Sequence, residues 1–231
     1  DDDVTDAPYK GNQEGIFGFG QDTGGSITAV TNLVSNAGVV STDVTGVGTA
    51  RGYLAACEYG GDKGIFGFGN TTGPVSMTNL VSNAGVVATD VTGVGTDRYG
   101  VAACSYGGDK GIFGFGDDAG GNSDITNLVS NAGVVATDVT GVGTARYSPS
   151  GCQYGGDKGI FAYGHIGSNV SMSNLVSNAG VLASDVTGVG TARHNLAACG
   201  YGYDKGIFGF GHDGSNYVSM TNLVSNAGVV A

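Results

Sequence analysis

Apolar residues in this chain fall in short runs separated by Gly, Asn and Asp. Helices need longer stretches free of Gly, so strands are the element these runs suit. Met77 to Ser82, Val86 to Val91, Tyr99 to Ser105 and Gly111 to Gly116 each read as one short strand, with small and apolar positions alternating in the third. The same order returns throughout. The tract Asn-Leu-Val-Ser-Asn-Ala-Gly-Val begins at Asn32, Asn79, Asn127, Asn174 and Asn222, so one unit of 47 or 48 residues is written five times. Units this short cannot bury an apolar face alone and must stack on their neighbours, in an open solenoid or a closed ring. Four short strands per unit predict an all-β fold, a five-bladed β-propeller with four-stranded antiparallel blades of about 47 residues. It forms a single domain over 1–231, with units at approximately 1–46, 47–93, 94–141, 142–188 and 189–231.

The ends leave ring closure open between two alignments. The last unit stops at Val229-Val230-Ala231, where the others continue into Asp-Val-Thr, and Asp2-Asp3-Val4-Thr5 resembles that continuation. Alternatively, counting back from Gly15-Ile16-Phe17 makes residues 3–10 a degenerate first strand, with Pro8 where other units carry Cys.

Composition narrows the biology. With 46 Gly, no Trp and 40% hydrophobic residues, the chain holds no apolar run near the ~20 residues of a membrane helix, and membrane insertion is not expected. A net charge of −11 repels phosphates and anionic lipid, which argues against nucleic acid as a partner. The start at Asp1-Asp2-Asp3, without Met, fits a processed end or a fragment and favours an extracellular or virion-associated location. Cys57, Cys104, Cys152 and Cys199 occupy one equivalent position in four units, without the Cys-x-x-Cys spacing of zinc or redox sites. They are expected to be small packed residues near the axis, and four free thiols suit assembly in a reducing cell. No metal and no cofactor is expected.

The order Arg98, Val101-Ala102-Ala103, Gly108-Asp109-Lys110 and Ile112 to Gly116 resembles the kelch unit, in which an Arg-led apolar strand precedes a Gly-Asp-Lys turn and an aromatic strand ending in Gly-Gly. Here Gly-Phe-Gly replaces the paired glycines, the outer-strand Trp is absent and the unit is short. The tract Asp-Val-Thr-Gly-Val-Gly-Thr-Ala-Arg is similar to that of uncharacterised repeat proteins of environmental tailed phages. The kelch resemblance implies a propeller that serves mostly as a binding scaffold.

Residues repeated in every unit read first as structure. Arg51, Arg98, Arg146 and Arg193 could each bridge bidentately to Asp43, Asp90, Asp138 or Asp185, tying the outer strand of one blade to the loop leading into the next. Asp62-Lys63, Asp109-Lys110, Asp157-Lys158 and Asp204-Lys205 read as turns. The functional alternative is four or five identical ligand sites, as in a multivalent lectin.

Two segments differ between units: the loop after the second strand (21–27, 70–75, 117–124, 165–170, 212–218) and the start of the first strand (52–53, 99–100, 147–150, 194–195). In an up-and-down blade both fall on one face, rich in Tyr, His, Asn, Asp, Ser and Gly, a mixture typical of adaptable binding loops. The expected ligand-binding residues are Tyr53, Asn70, Tyr99, Asp117, Tyr147, His165, His194 and His212. Neutral drift of exposed loops is the competing explanation.

No catalytic residue stands out. Three His supply no Ser-His-Asp or Cys-His arrangement, the aspartate boxes of sialidases need Trp, and the Gly-x-Gly pieces end strands instead of opening helices. The sequence therefore predicts a non-enzymatic binding module, recognising a glycan or cell-surface protein in attachment. The alternative is a structural subunit of a virion, fibre or extracellular filament, with self-association or attachment to a larger particle.

Overall fold

The computed structural model describes residues 13–231, which contain strands and turns but no helix. The first unit contributes β1 (Gly15–Gly18) and β2 (Thr31–Val34), and the second β3 (Ala55–Tyr59), β4 (Lys63–Gly67) and β5 (Thr78–Val81). The third holds β6 (Ala102–Tyr106), β7 (Lys110–Gly114), the small hairpin β8 (Asp117–Asp118) and β9 (Gly121–Asn122), and β10 (Thr126–Val129). β11 (Ser150–Tyr154), β12 (Lys158–Ala162) and β13 (Ser173–Val176) form the fourth, and β14 (Ala197–Tyr201), β15 (Lys205–Gly209) and β16 (Thr221–Val224) the fifth. Units two to five each build one three-stranded antiparallel sheet in chain order, and β1 pairs with β2. The fourth strand expected in each unit is reduced to isolated bridges, Val81 to Val87 and Thr78 to Val91 in the second unit. Only Val87 of this segment is buried, whereas Val86 and Val91 stay largely exposed, so little apolar surface holds it to the sheet and it does not zip into a ladder.

The core lies between units. One apolar cluster joins Phe66, Val81 and Val87 to Ile16 and Phe19 of the first unit. Another joins Tyr59, Ile65 and Phe68 to Val101, Phe113 and Val129 of the third. Two more repeat this across the next seams. Each seam is keyed by glycines. A Cβ at Gly111 would stand 2.5 Å from Cys57 Sγ, and one at Gly67 only 2.6 Å from the Phe113 ring. The aromatic that follows each second strand (Phe19, Phe68, Phe115, Tyr163, Phe210) has φ between 62° and 64°, a left-handed conformation that costs an ordinary residue roughly 1–2 kcal/mol. That turn swings the ring into the seam, where Phe68, Phe115 and Tyr163 are fully buried. About 1.5–3 kcal/mol from burying such a side chain offsets the strain.

The first strands of successive units, β3, β6, β11 and β14, lie against one another and act as a hub. Backbone hydrogen bonds clamp the hub at both ends. At one end Gly100 N–H donates to Tyr53 O (2.8 Å), Ser148 N–H to Gly100 O (2.7 Å) and Asn195 N–H to Ser148 O (3.3 Å). At the other, Gly60, Gly107 and Gly155 N–H donate across the seams to Asp109, Asp157 and Asp204 O, at 2.7 Å each.

The repeated arginines are completely buried, but the bidentate Arg–carboxylate bridge expected from the sequence does not form. Arg51 Nη1 is 3.9 Å from Asp90, whereas Arg51 Nη2 donates to Asn79 Oδ1 at 2.7 Å and Nε to Phe68 O at 2.8 Å. Asn79 relays the link, since its Nδ2 donates to Asp90 Oδ1 at 2.9 Å. Asp90 also accepts from the N–H and hydroxyl of Thr49, in the connector arriving from the first unit. The carboxylate thus holds the connector at the head of its own unit, through Thr and Asn, and does not tie one unit's outer strand to the next unit as the sequence suggested. Burial raises the Asp90 pKa, but the bonds from Thr49 and Asn79 and the charge of Arg51 outweigh it and leave it below the usual carboxylate value. Each guanidinium also lies over an aromatic ring of the preceding unit, as Arg51 does at 4.3 Å from Phe19. The Cys expectation of packing holds along the hub: Cys104 and Cys152 are buried, Cys57 is half-buried, and Cys199 in the last unit is exposed.

Among the described residues the stack does not close on itself through its end faces. Phe17 is 63% exposed and Phe210 59%, whereas Phe66, Phe113, Phe161 and Phe208, and Phe68, Phe115 and Tyr163, are 5% or less. Both sequence alignments for closure fall on residues 1–12 and lie outside the described residues.

Candidate functional site

The two variable segments meet backbone to backbone. After each second strand the chain turns through a left-handed aromatic-Gly pair, and the next residue bridges to the one that follows the buried Arg. The bridged pairs are Asn70 with Gly52, Asp117 with Tyr99, His165 with Tyr147 and His212 with His194, each closed by two hydrogen bonds of 2.8–3.1 Å. Asn70 and Asp117 are thus fixed at the same register as the histidines. The buried Arg and the inter-unit hydrogen bonds from Gly100, Ser148 and Asn195 hold these pairs at a repeating interval along one edge of the hub.

Side chains from different units come together on that edge. Tyr53 and Tyr99 rings are 6.2 Å apart. Gly100 abuts Tyr147, and from there the row continues as Tyr147–His165 (5.1 Å), Tyr147–His194 (6.4 Å), His165–His194 (5.5 Å), His194–His212 (5.5 Å) and His212–Tyr217 (5.0 Å). All three histidines of the chain converge. Tyr53 and Tyr217 are exposed, and Tyr99, Tyr147 and the histidines are half-buried, so the row offers ring faces and edges on fixed supports.

Hydrogen bonds set the polar character of the row. His165 Nδ1 accepts from Gly167 N–H at 3.0 Å and His212 Nδ1 from Gly214 N–H at 3.1 Å, so each neutral ring carries its proton on Nε2. Asn169 Nδ2 donates to His212 O at 3.0 Å, which leaves its Oδ1 to accept a hydrogen bond from His194 Nδ1–H at 2.8 Å. Asn122 donates to His165 O in the same way across the preceding seam. Burial lowers the His194 pKa, and the neighbouring His165 and His212 lower it further. Burial likewise raises the Tyr99 hydroxyl, helped by Asp117.

The structure thus brings together the eight residues singled out from sequence along one edge. It adds Tyr217, Asn122 and Asn169 from the variable loops, of which Asn169 belongs to the His-x-Gly-Ser-Asn tract that recurs at His165 and His212. A groove of about 290 Å³ lies elsewhere, between the first two units, where Ile16, Leu33, Cys57, Ile65 and Phe66 line it together with the charged Glu14, Glu58, Asp62 and Lys63. The aromatic edge is an open surface, suited to laying flat groups and hydroxyls against rings. Among the described residues no group of three or more His, Cys, Asp or Glu is arranged to hold a metal ion, and no helix is long and apolar enough to cross a membrane. No family model matches the chain, and no curated protein matches it in sequence.

Proposed function

We propose that this chain is a non-enzymatic recognition module, and that the aromatic and imidazole row from Tyr53 to Tyr217 binds a glycan or a glycan-bearing surface protein. The observation that carries this reading is the coincidence of sequence divergence with spatial convergence. The positions that vary most between otherwise identical units are those whose side chains meet in one row. Aromatic faces stack on the apolar faces of pyranose rings, while imidazole Nε2–H, Asn and Tyr hydroxyl groups satisfy sugar hydroxyls. Several weak subsites along one rigid edge raise avidity without strong single contacts.

In this reading the five units are blades fanned about the hub strands, related to a kelch-like propeller. The close packing of β3, β6, β11 and β14 supports that relation. The setting that fits is attachment, in an extracellular or virion-associated protein of acidic, glycine-rich composition.

A glycan-array screen of the whole chain tests the proposal, run beside a variant with Tyr99, Tyr147, His165, His194 and His212 changed to Ala. Binding that is lost in the variant is the expected result. Binding that survives in full, or no binding by the wild type to glycans or glycoproteins, would overturn it.

A further inference from the structure

The two end faces of the stack carry the two halves of the seam that joins units two to five, and we propose that they dock head to tail between copies of this chain. The inference is independent of what the aromatic edge binds.

Three contacts define an internal seam, and each is left half-made at both ends. In the first, a Phe of the second strand packs on the left-handed aromatic of the unit before. Phe66 meets Phe19 at 5.2 Å, Phe113 meets Phe68 at 5.1 Å, Phe161 meets Phe115 and Phe208 meets Tyr163 at 5.5 Å. Phe17 is the corresponding donor ring of the first unit and Phe210 the corresponding acceptor of the last, and both are exposed. Gly209 leaves the seat beside Phe210 open, because a Cβ there would meet nothing but Thr221.

In the second contact a hub Cys presses on a Gly of the next unit: Cys57 on Gly111, Cys104 on Gly159 and Cys152 on Gly206. Cys199 is exposed, and a Cβ at Gly15 would meet only Val34. In the third, the Ser-Asn-Ala-Gly turn caps a Tyr and a Leu of the unit before, as Gly133 does for Tyr59 and Leu80, Gly180 for Tyr106 and Leu128, and Gly228 for Tyr154 and Leu175. Tyr201 is 41% exposed where its three counterparts are 4%, Leu223 is 49% exposed, and a Cβ at Gly38 would meet nothing within 4 Å.

Each uncovered group on the last unit therefore has its matching uncovered partner on the first. Phe210 also keeps its left-handed φ of 63° without the burial that offsets this strain in Phe68, Phe115 and Tyr163. The occupant that satisfies all three contacts is the first unit of another copy. Such a contact is heterologous and, unless it closes a ring of copies, it propagates into a filament. All four arginines already cover Phe19, Phe68, Phe115 and Tyr163 inside the chain. The junction lacks that guanidinium, so it is weaker than an internal seam and forms reversibly with concentration.

Sedimentation velocity of the full chain over a rising concentration series tests this. The wild type is expected to shift from monomer to larger species. Phe17→Asp and Phe210→Asp, both at exposed positions, each remain monomeric alone, because each destroys one face. Mixed in equal amounts, they form a dimer and nothing larger, since each retains the face that the other lost. As a second measurement, the thiol introduced by Gly15→Cys should cross-link to Cys199 of another copy on mild oxidation, giving a ladder on non-reducing gels. A wild type that stays monomeric throughout would overturn the proposal. So would variants that associate as the wild type does, a mixture that stays monomeric, or a bond from the introduced thiol to Cys199 confined to one chain, as in a closed ring.

Discussion

The Arg146 guanidinium lies 3.8 Å from the centre of the Phe115 ring in the unit before it, and donates from Nη2 to Asn174 Oδ1 at 2.6 Å in its own unit. One buried cation thus fastens two units and supports the edge on which Tyr147 and His165 pair. Burial lowers its pKa to about 10, still high enough to keep it charged at neutral pH. Arg146→Ala leaves Asn174 and the Tyr163 carbonyl without their donor and should cost about 3 kcal/mol. Arg146→Lys keeps the charge but loses the planar fork, and should recover only part of that. Thermal or urea unfolding of the two variants checks the order.

The seam glycines are required by close approach, which a double-mutant cycle can show. Gly111→Ala places a methyl 2.5 Å from Cys57 Sγ and should destabilise the fold by about 1–3 kcal/mol. Cys57→Ala removes the obstructing sulfur. The two substitutions should couple favourably by roughly 1 kcal/mol in unfolding experiments, and additive effects would show that the two residues do not meet.

The thiols should divide sharply in reactivity. Burial pushes Cys57 and Cys152 up to about 12 and raises Cys104 well above its ordinary value, so these three stay protonated. Cys199 is exposed. Titration with a disulfide reagent under native conditions should modify Cys199 alone, and the other three only after unfolding.

Acid should weaken the fold in two separate steps. The folded state holds His194 below its ordinary value of 6.5, so it disfavours the protonated ring. Above pH 6.5 the ring is neutral folded and unfolded, and contributes nothing to the pH dependence. As pH falls below 6.5 the unfolded chain takes up the proton first, and stability declines until His194 itself titrates. Asp90, Asp138 and Asp185 are held below 3.8, so the stability they contribute is present above 3.8 and lost as pH falls through their lowered values. His194→Asn should remove the upper step and leave the lower one, as read from melting temperature against pH.

Period and strand content are legible in the sequence because the repeat restates itself five times and Gly-rich tracts exclude helices. The co-location of the variable segments is legible for the same reason, since antiparallel connectivity alone puts alternate loops on one edge. What escapes depends on three-dimensional approach. Asn79 competes with Asp90 for Arg51, and spacing cannot rank two acceptors that a turn brings equally near. The convergence of His165, His194 and His212 is hidden because two loops and a strand start from two units supply it. Unit count suggests a ring, but it does not determine the rotation from one unit to the next. Phe17 and Phe210 remain uncovered.

The most direct test of the recognition edge is to titrate the strongest array ligand into isotope-labelled protein and follow backbone amide resonances. The account predicts perturbations at Tyr53, Gly100, Ser148 and Asn195 and in the loops at 165–169 and 212–217. Perturbations centred instead on the Asp62-Lys63 and Asn83 turns at the other end of the hub would contradict it.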